Sequence, residues 1–449
     1  MDGRLISGRA EATWHGAALD SRTIVGGELF FALAGEQTDG HRFVSQALER
    51  GASAAVVSHE IEAIGQADLI RVEDTLAALH RLTSDVRARI PEHLVAVTGS
   101  VGKTTTKEIL ATLLARRFRV ARNPGSLNNL YGFPIALLGI PDDTEWMVAE
   151  MGMSTPGELG QVSLLGLPDV AVFTNVRPAH LQAFGTLRAI AEAKAELLQG
   201  LDPGGLIVAN RDDPEVVRFV TRHGGEVVWF ARESAADYTV RDVRLNPDEV
   251  GTCFRLIAAE AEQEVALPLH GLYNVENFLA AAACAHALGV SLGDIADAAG
   301  QIEGQPMRGV LHRLSEDRLL IDDCYNSNPT ALVEALRSAR ELPGRRYWAV
   351  LGDMLELGDA AADLHRQAGH RAAELGFSPL VGVGVLAREL IDAAATAGAS
   401  TQWFESAAEA ADKLDIRLAP GDVTLVKGSR GVGLEVVVES LLARGGGEA

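Results

Sequence analysis

Residues 93–117, HLVAVTGSVGKTTTKEILATLLARR, read as an apolar strand, a glycine-rich turn and a helix in immediate succession. A turn of this kind aims successive backbone N–H groups at phosphate oxygens. The helix that follows adds the positive end of its dipole. Within TGSVGKTTTKE (98–108), the segment Gly99, Ser100, Val101, Gly102, Lys103, Thr104 and Thr105 forms a candidate phosphate cradle. Lys103 is placed to reach the β- and γ-phosphates, and Thr104 offers a hydroxyl to magnesium. Val97 stands where the full phosphate-loop pattern has its first glycine, so only the Gly-Lys-Thr core with Gly99 is met. A strand feeding such a loop belongs in a parallel sheet, because ligands of open α/β sheets bind beyond the carboxyl ends of the strands.

The flanking sequence agrees with that constraint. WMVAEMG (146–152), DVAVFTNV (169–176) and GLIVAN (205–210) read as further strands, and LRAIAEAKAELLQGL (187–201) as an amphipathic helix. Strands alternating with helices predict a doubly wound, mostly parallel central sheet. Residues 237–267 read instead as a short β-hairpin excursion. Before Pro91, ELFFAL (28–33), RFVSQALERG (42–51) and SAAVVS (53–58) predict a small α/β unit. Beyond Met307, RLLIDDCY (318–325), RYWAVLGDM (346–354), LVGVGV (380–385) and DVTLVKGS (422–429) predict a Rossmann-like unit. The expected class is therefore α/β with three domains: a small N-terminal one over 1–90, a central phosphate-loop one over 91–305, and a C-terminal Rossmann-like one over 306–449. The tail RGGGEA is expected to fray.

With 40 Lys+Arg against 61 Asp+Glu, the formal charge is −21. That argues against nucleic acid or an anionic membrane as partner, so any phosphate must be held by local devices. The three cysteines, Cys253, Cys284 and Cys324, show no metal-binding or disulfide spacing, which fits a reducing compartment. MDGRLISGRA has no signal-peptide core. The most apolar run, NFLAAAACAHALGV (277–290), is too short to span a bilayer, so no membrane insertion is expected. A cytoplasmic protein is expected.

Magnesium takes hard oxygen ligands. Glu150 closes the strand WMVAE and His180 follows the strand DVAVFTNV, both at edges where ligands bind. Lys194, in AEAKAEL (191–197), reads on periodicity as an exposed lysine of a helical face.

Taken together, these segments resemble one family. TGSVGKTTTKE, NNLYGFP (128–134), AEMGMSTPGEL (149–159), TNVRPAHLQAFGT (174–186), AEAKAEL, HGLYNVENFLAAAA (270–283), DDCYNSNP (322–329), VLGDMLELG (350–358) and VKGSR (426–430) resemble, in order, the motifs of the Mur ligases. LDSRTIVGGELFFALAGEQTDGHRF (19–43) is similar to their N-terminal region. YNSNP and GDMLELG look most like the branch that adds a dipeptide. The substrate-selecting Asp-Asn-Pro-Arg segment of the branch adding a single amino acid is not seen. Ser126 replaces a usual Asn, Ser154-Thr155-Pro156 replaces a commoner Asn-His segment, and the Asp-Ser-Arg motif lies closer to the start than the family suggests.

The resemblance implies a first domain that binds the UDP end of a nucleotide precursor, a second that binds ATP, and a third that closes over both. It places Asp20, Ser21 and Arg22 in the UDP region, and Gly99 to Thr105 around ATP. Thr104 and Glu150 would hold one of two Mg2+ ions. His180 and Lys194 would serve the second, with Lys194 carbamylated. Asn274 and Asn277 are implied near the adenine, Arg308 at the phosphates and Asp323 at the ribose. Tyr325, Asn326 and Asn328, with Asp353, Lys427 and Arg430, are implied in the dipeptide and acyl-phosphate region. Lys103, Lys194, His180 and Arg308 are the implied catalytic set. The implied substrates are a UDP-muramoyl tripeptide and D-Ala-D-Ala, and the implied state is a monomer.

The implied reaction activates a carboxylate as an acyl phosphate, which an amine then captures. Catalysis would be positioning and electrostatics. One rival is a relative joining a different acid and amine. Another is a phosphate-loop switch that ligates nothing, which would have no use for a carbamate at Lys194.

Overall fold

The computed structural model describes residues 3–7, 13–35, 38–61, 68–90, 92–245, 251–259, 261–414 and 418–445. Pro91 and the tail beyond Gly445 lie outside the described residues. Three sheets follow one another along the chain.

The first sheet comprises β1 (Arg4–Ser7), β2 (Ala17–Ala18), β3 (Leu29–Phe31), β4 (Ala54–Val57) and β5 (Asp68–Arg71), in the order β1-β5-β4-β3-β2. Only β1 runs antiparallel, against β5. Every residue of β3 and β4 is buried, which is why both read as continuous apolar runs rather than alternating ones. The helix expected over 42–51 divides into a 3-10 turn, Gly40–Phe43, and a short helix, Val44–Glu49. A second helix, Thr75–Arg87, starts where the Asp74 carboxylate accepts from the backbone N–H groups of Leu76 and Ala77.

The middle sheet comprises β6 (His93–Thr98), β7 (Val120–Arg122), β8 (Trp146–Glu150), β9 (Val170–Phe173), β10 (Leu206–Asn210), β11 (Val227–Phe230), β12 (Tyr238–Leu245), β13 (Thr252–Ala258) and β14 (Ala261–Leu267). Its order is β14-β13-β12-β11-β10-β9-β6-β8-β7, parallel from β7 to β12. The strand order turns back at β6, flanked by β8 and β9, so β6 delivers the glycine-rich turn to the switch point of the sheet.

The hairpin expected over 237–267 is a correction. β12, β13 and β14 form a three-stranded antiparallel extension of this same sheet. In β13, Thr252, Phe254, Leu256 and Ala258 alternate inward, and Phe254 meets Phe278 edge-on at 5.5 Å. The polar start of β14, AEQE, conceals its buried end, Val265 and Leu267. The helix expected over 187–201 ends as an α-helix at Ala195 and tightens to a 3-10 turn over Glu196–Gln199.

The third sheet comprises β15 (Val310–Arg313), β16 (Leu319–Asp323), β17 (Arg346–Gly352), β18 (Leu380–Val383), β19 (Thr401–Phe404) and β20 (Asp422–Lys427). Its order is β15-β16-β20-β17-β18-β19, parallel but for β15. Among the described residues, no helix is long and apolar enough to cross a membrane.

The cores are divided unequally. The third sheet is packed on both faces by residues from position 307 onward only. The first sheet borrows Leu138 and Ile135 from the middle region. Val86, on the helix Thr75–Arg87, packs against cores of both the first and middle regions.

Candidate active site

Gly99 and Gly102 shape the turn after β6. A Cβ on Gly99 would lie 1.9 Å from Thr174 Oγ1. Gly102 has φ +84°, and a Cβ there would lie 2.1 Å from Asn277 Oδ1. The segment after β9 braces the turn. Thr174 Oγ1 donates to the Val101 carbonyl at 2.8 Å, Asn175 Oδ1 accepts from the Val101 N–H at 3.0 Å, and Ser100 Oγ donates to the Arg177 carbonyl at 3.0 Å. The helix Lys103–Leu114 follows directly, so its free N–H groups face the same space.

Lys103 folds back, its Nζ donating to the Gly99 carbonyl at 3.0 Å. Burial holds its ammonium below the usual lysine range; Glu150 opposes that shift and Arg308 adds to it. Thr104 Oγ1 donates to Glu150 Oε2 at 2.5 Å, and Asn128 Nδ2 donates to Oε1 at 2.6 Å. Glu150 is 2% exposed, and its backbone is gripped on both sides by Asn123: N–H to Oδ1 at 2.9 Å and carbonyl to Nδ2 at 3.1 Å. The hydroxyl and carboxylate expected together are brought together.

Three of these supports were given no role in the sequence reading. Asn123 and Asn128 lie in a loop with no helical or strand period. Lys107 looks like one more lysine on a helix, yet it is fully buried and donates to the Asn123 carbonyl at 2.6 Å and the Gly125 carbonyl at 3.1 Å. It anchors the loop that carries Asn123 and Asn128. The only available signal was its spacing of four from Lys103, one turn along the same helix.

His180 adopts φ +56° at the start of the short helix Leu181–Phe184. Its Nδ1 pairs with Glu356 Oε2, and the Gln182 N–H donates to the Glu356 carbonyl at 3.2 Å. Burial pushes the imidazole below its usual range; Glu356 opposes, while Lys103 and Lys194 reinforce. Glu356, with φ +62°, was not singled out from the sequence.

Lys194 is 4% exposed, which overturns the exposed-face reading its periodicity suggests. Among the described residues no carboxylate pairs with it. Burial, and then the Lys103 charge, hold its amine well below the usual lysine range.

One cavity of about 260 Å³ collects residues from two sheets. Ser100 to Thr105, Glu150 and His180 line it from the middle region, and Arg308, Asp323, Tyr325, Asn326 and Asn328 from the third. The Arg308 guanidinium sits 3.8 Å over the Tyr325 ring. Asp323 pairs with Lys427 Nζ at 2.7 Å, and Lys427 also donates to the Asn326 carbonyl at 2.9 Å. Burial raises the Asp323 carboxyl, and the Lys427 ammonium opposes it. Asn277 lines the cavity, whereas Asn274 supports it from beneath: Asn277 Nδ2 donates to Asn274 Oδ1 at 3.4 Å, and Asn274 Nδ2 to the His270 carbonyl at 2.8 Å. Lys194 is not among the lining residues. Asn328 also caps the helix Pro329–Glu341, accepting from the Ala331 N–H at 2.9 Å.

Asp353 lines no cavity described here. Its Oδ1 accepts from the Ala387 N–H at 2.6 Å and its carbonyl from the Ser429 N–H at 3.0 Å, so it ties loops of the third region together. Ser21 and Arg22 lie apart, in a second site on the first sheet. There Ser21 Oγ donates to Gln46 Oε1 at 2.6 Å, Arg22 pairs with Asp20 at 2.7 Å, and Tyr131 of the middle region completes the wall.

Comparison with known proteins bears on nearly the whole length. A sequence model described as the Mur ligase middle domain matches residues 97–285. One described as the Mur ligase, glutamate ligase domain matches 308–430, and one described as the Mur ligase family, catalytic domain matches 13–87. The chain is similar to the UDP-N-acetylmuramoyl-tripeptide--D-alanyl-D-alanine ligase of Escherichia coli (strain K12), 34% identical over 438 residues, covering 97% of this chain and 95% of that one. The protein of the same name from Bacillus subtilis (strain 168) is 33% identical over 438 residues, covering 95% and 93%. Among solved structures, MurF from Acinetobacter baumannii superposes with a TM-score of 0.86 at 32% identity, covering 95% and 93%. MurF ligase from Thermotoga maritima in complex with ADP gives 0.83 at 28%, covering 96% and 98%.

Proposed function

Because the chain belongs to the Mur ligase family, we propose that it joins D-alanyl-D-alanine to a UDP-N-acetylmuramoyl tripeptide at the expense of ATP, in peptidoglycan precursor synthesis. The observation that carries this reading is the shared cavity: a phosphate cradle at the switch point of one sheet faces Arg308, Asp323, Tyr325, Asn326 and Asn328 of another. A phosphate-loop switch that ligates nothing has no need of the second wall.

The chain's own groups supply positioning and charge. The turn over Gly99–Thr105 and the N-terminus of its helix hold the phosphates of ATP. Lys103 and Arg308 face the group to be transferred, where fixed positive charge lowers the barrier. The terminal carboxylate of the tripeptide takes the γ-phosphoryl, ADP leaves, and the amine then displaces phosphate to form the amide. Asn274 and Asn277 are assigned to the adenine and Asp323 to the ribose. Ser21 and Arg22 are assigned to the uridine end in the separate first-sheet site. The divisions 1–90, 91–305 and 306–449 correspond to these tasks, which three successive sheets support.

Two Mg2+ ions fit the residues present. Thr104 and Glu150 offer hard oxygen donors for one, and the buried Glu150 carboxyl has hydroxyl and amide partners rather than a cationic one. His180 and a carbamylated Lys194 would serve the other. Burial, the Lys103 ammonium and the lack of a paired carboxylate among the described residues all favour the unprotonated amine, the form to which carbon dioxide adds. When bound, magnesium neutralises charge on the phosphates. The protein is proposed to act as a cytoplasmic monomer on these small molecules.

The deciding measurement is ADP release from ATP with the UDP-muramoyl tripeptide, with and without D-Ala-D-Ala. Release that requires both substrates, with formation of the pentapeptide product, is expected. Release with neither, or with a different acid and amine only, would assign the chain to another reaction.

A further inference from the structure

His270 lies between β14 and the helix Leu272–Ala287, and it is buried. It belongs to the middle region, yet its ring reaches the third. Nε2 lies 2.7 Å from the Ser338 carbonyl oxygen. A carbonyl only accepts, so Nε2 carries the proton of that bond. Ser338 sits in the last turn of the helix Pro329–Glu341, where the final carbonyls lack a partner within the helix. The Leu342 N–H, which would continue the ladder to Ser338, goes to the Ala339 carbonyl instead. The imidazole supplies the missing donor. Gly271 permits the close approach: its φ is +97°, and a Cβ there would lie 2.4 Å from Ser338 Oγ.

The same residue supports both walls of the phosphate cavity. On the middle-region side, its carbonyl accepts from Asn274 Nδ2 at 2.8 Å, and Asn274 Oδ1 accepts from Asn277 Nδ2 at 3.4 Å. On the third-region side, Ala331, Glu334 and Ala335 line the cavity, and Ser338 continues their face of the helix at a spacing of three to four residues.

The other ring nitrogen, Nδ1, is buried and meets no hydrogen-bond partner among the described residues. In the neutral ring it bears only a lone pair. A second proton would set a charged donor where nothing accepts it. The ionisable side chains of the two flanking helices are Tyr273 and Glu276 on one and Glu334, Arg337 and Glu341 on the other, with Arg232 paired to Glu276 at 2.9 Å; none of them bonds to the ring. Burial holds the imidazole below its usual range, and the Ser338 carbonyl opposes that shift. The bond's contribution is therefore whole at neutral pH and above, and is lost as pH falls through and below the ordinary histidine range.

We propose that His270 is a positioning residue for the nucleotide: as a neutral imidazole it fixes the helix Pro329–Glu341, and with it the third-region wall of the phosphate cavity, against the middle region, and a second proton on the ring frees that wall. This rests on the ligase reading above only in taking the ligand of the cavity to be ATP or its product ADP. The ring touches none of the reacting groups, so its effect falls on nucleotide affinity rather than on the chemical step.

The test is the Kd for MgADP, measured by titration calorimetry from about pH 5.5 to about pH 8, the span across which an ordinary histidine titrates. Parent, His270→Gln and His270→Leu are compared. Gln keeps an N–H donor and takes up no proton, and ratios between proteins at each pH cancel the nucleotide's own titration. At the upper end His270→Leu should bind roughly three- to tenfold more weakly than the parent, the scale of one lost hydrogen bond, and His270→Gln should recover most of that loss. Toward the lower end the parent should weaken by roughly threefold or more relative to His270→Gln. The KM for ATP should follow the same pattern with kcat little moved. A parent-to-Gln ratio that does not change with pH would overturn the proposal, and it needs no Leu variant that folds. A folded His270→Leu that binds as tightly as the parent would overturn it too. Absence of MgADP binding by the parent removes the nucleotide reading and this assignment with it, whereas binding with a flat ratio removes this assignment alone.

Discussion

Burial, and then the Lys103 ammonium, depress the proton affinity of Lys194, a lysine that no carboxylate pairs with among the described residues. Two cationic side chains held in one low-dielectric region cannot both stay protonated cheaply. The Gly99 carbonyl and the Glu150 charge oppose the shift at Lys103, and no carboxylate does so at Lys194 among the described residues.

Lys194 is therefore expected to be carbamylated. Lowering its pKa enlarges the unprotonated fraction at neutral pH, which is the form that carbon dioxide attacks. Labelled carbon dioxide should give a carbamate signal in 13C NMR that is missing from Lys194→Arg. Lys194→Ala should abolish most activity, and formate or acetate should restore part of it. Stripping bicarbonate at high pH should inactivate the parent reversibly. Full activity in Lys194→Arg, which cannot be carbamylated, would leave this lysine as a packing residue.

Lys103→Ala should lower kcat by roughly two or more orders of magnitude, through lost charge stabilisation of the transferring phosphoryl group. Single-turnover kinetics check it. Turnover within a few-fold of the parent would remove Lys103 from the reaction.

If acyl phosphate precedes amide formation, positional isotope exchange in ATP should proceed with the tripeptide and no dipeptide. Exchange that demands a reactive dipeptide amine would favour a concerted transfer instead.

Asn123 is fully buried and satisfies both backbone groups of Glu150 as well as the Leu127 carbonyl, at 2.8 Å. Asn123→Leu should destabilise the fold by about 2 kcal/mol or more, because buried N–H and C=O groups lose their partners. It should also weaken Mg2+ dependence by freeing Glu150. Denaturant melts and a Mg2+ titration check the two effects; a loss of stability with unaltered Mg2+ response would make the bracket purely structural.

Ser21→Ala should raise the KM for the UDP-muramoyl tripeptide by roughly three- to tenfold, the scale of one lost hydrogen bond. The KM for ATP should move far less, since Ser21 lies in a different cavity from Lys103. Parallel shifts in both constants would place the uridine end elsewhere.

What the sequence made legible was local. The Gly-Lys-Thr turn, the strand WMVAE ending on Glu150 and the buried runs of β9 and β10 each carry their signal within a few residues. Lys194 was not legible as a buried group, because an amphipathic helix tells which side faces inward only once its neighbours are known. The role proposed for it came from resemblance, and its burial from packing. Lys107 failed for the same reason. The contact of His180 with Glu356 joins segments far apart in the chain, and no spacing rule connects them. Asp353, which the resemblance implied in the dipeptide and acyl-phosphate region, accepts from the Ala387 N–H, and no local signal tells a carboxylate that meets a ligand from one that ties loops together. The antiparallel end of the middle sheet was mistaken for a hairpin because β14 opens on four residues of which three are polar, Glu262, Gln263 and Glu264.

The unequal division of the cores has a mechanical meaning. Apolar side chains cement the first region to the middle one, through Leu138 and the helix Thr75–Arg87, so separating them would expose oily surface to water. The third region keeps its oil to itself. Several of its ties to the rest are polar, such as Glu356 on His180, and the His270 Nε2 with the Ser338 carbonyl at 2.7 Å. Water can replace such bonds almost one for one. The first and middle regions thus act as one anvil, held in shape by solvent exclusion, while the third is joined to it by polar bonds of a kind that water also makes.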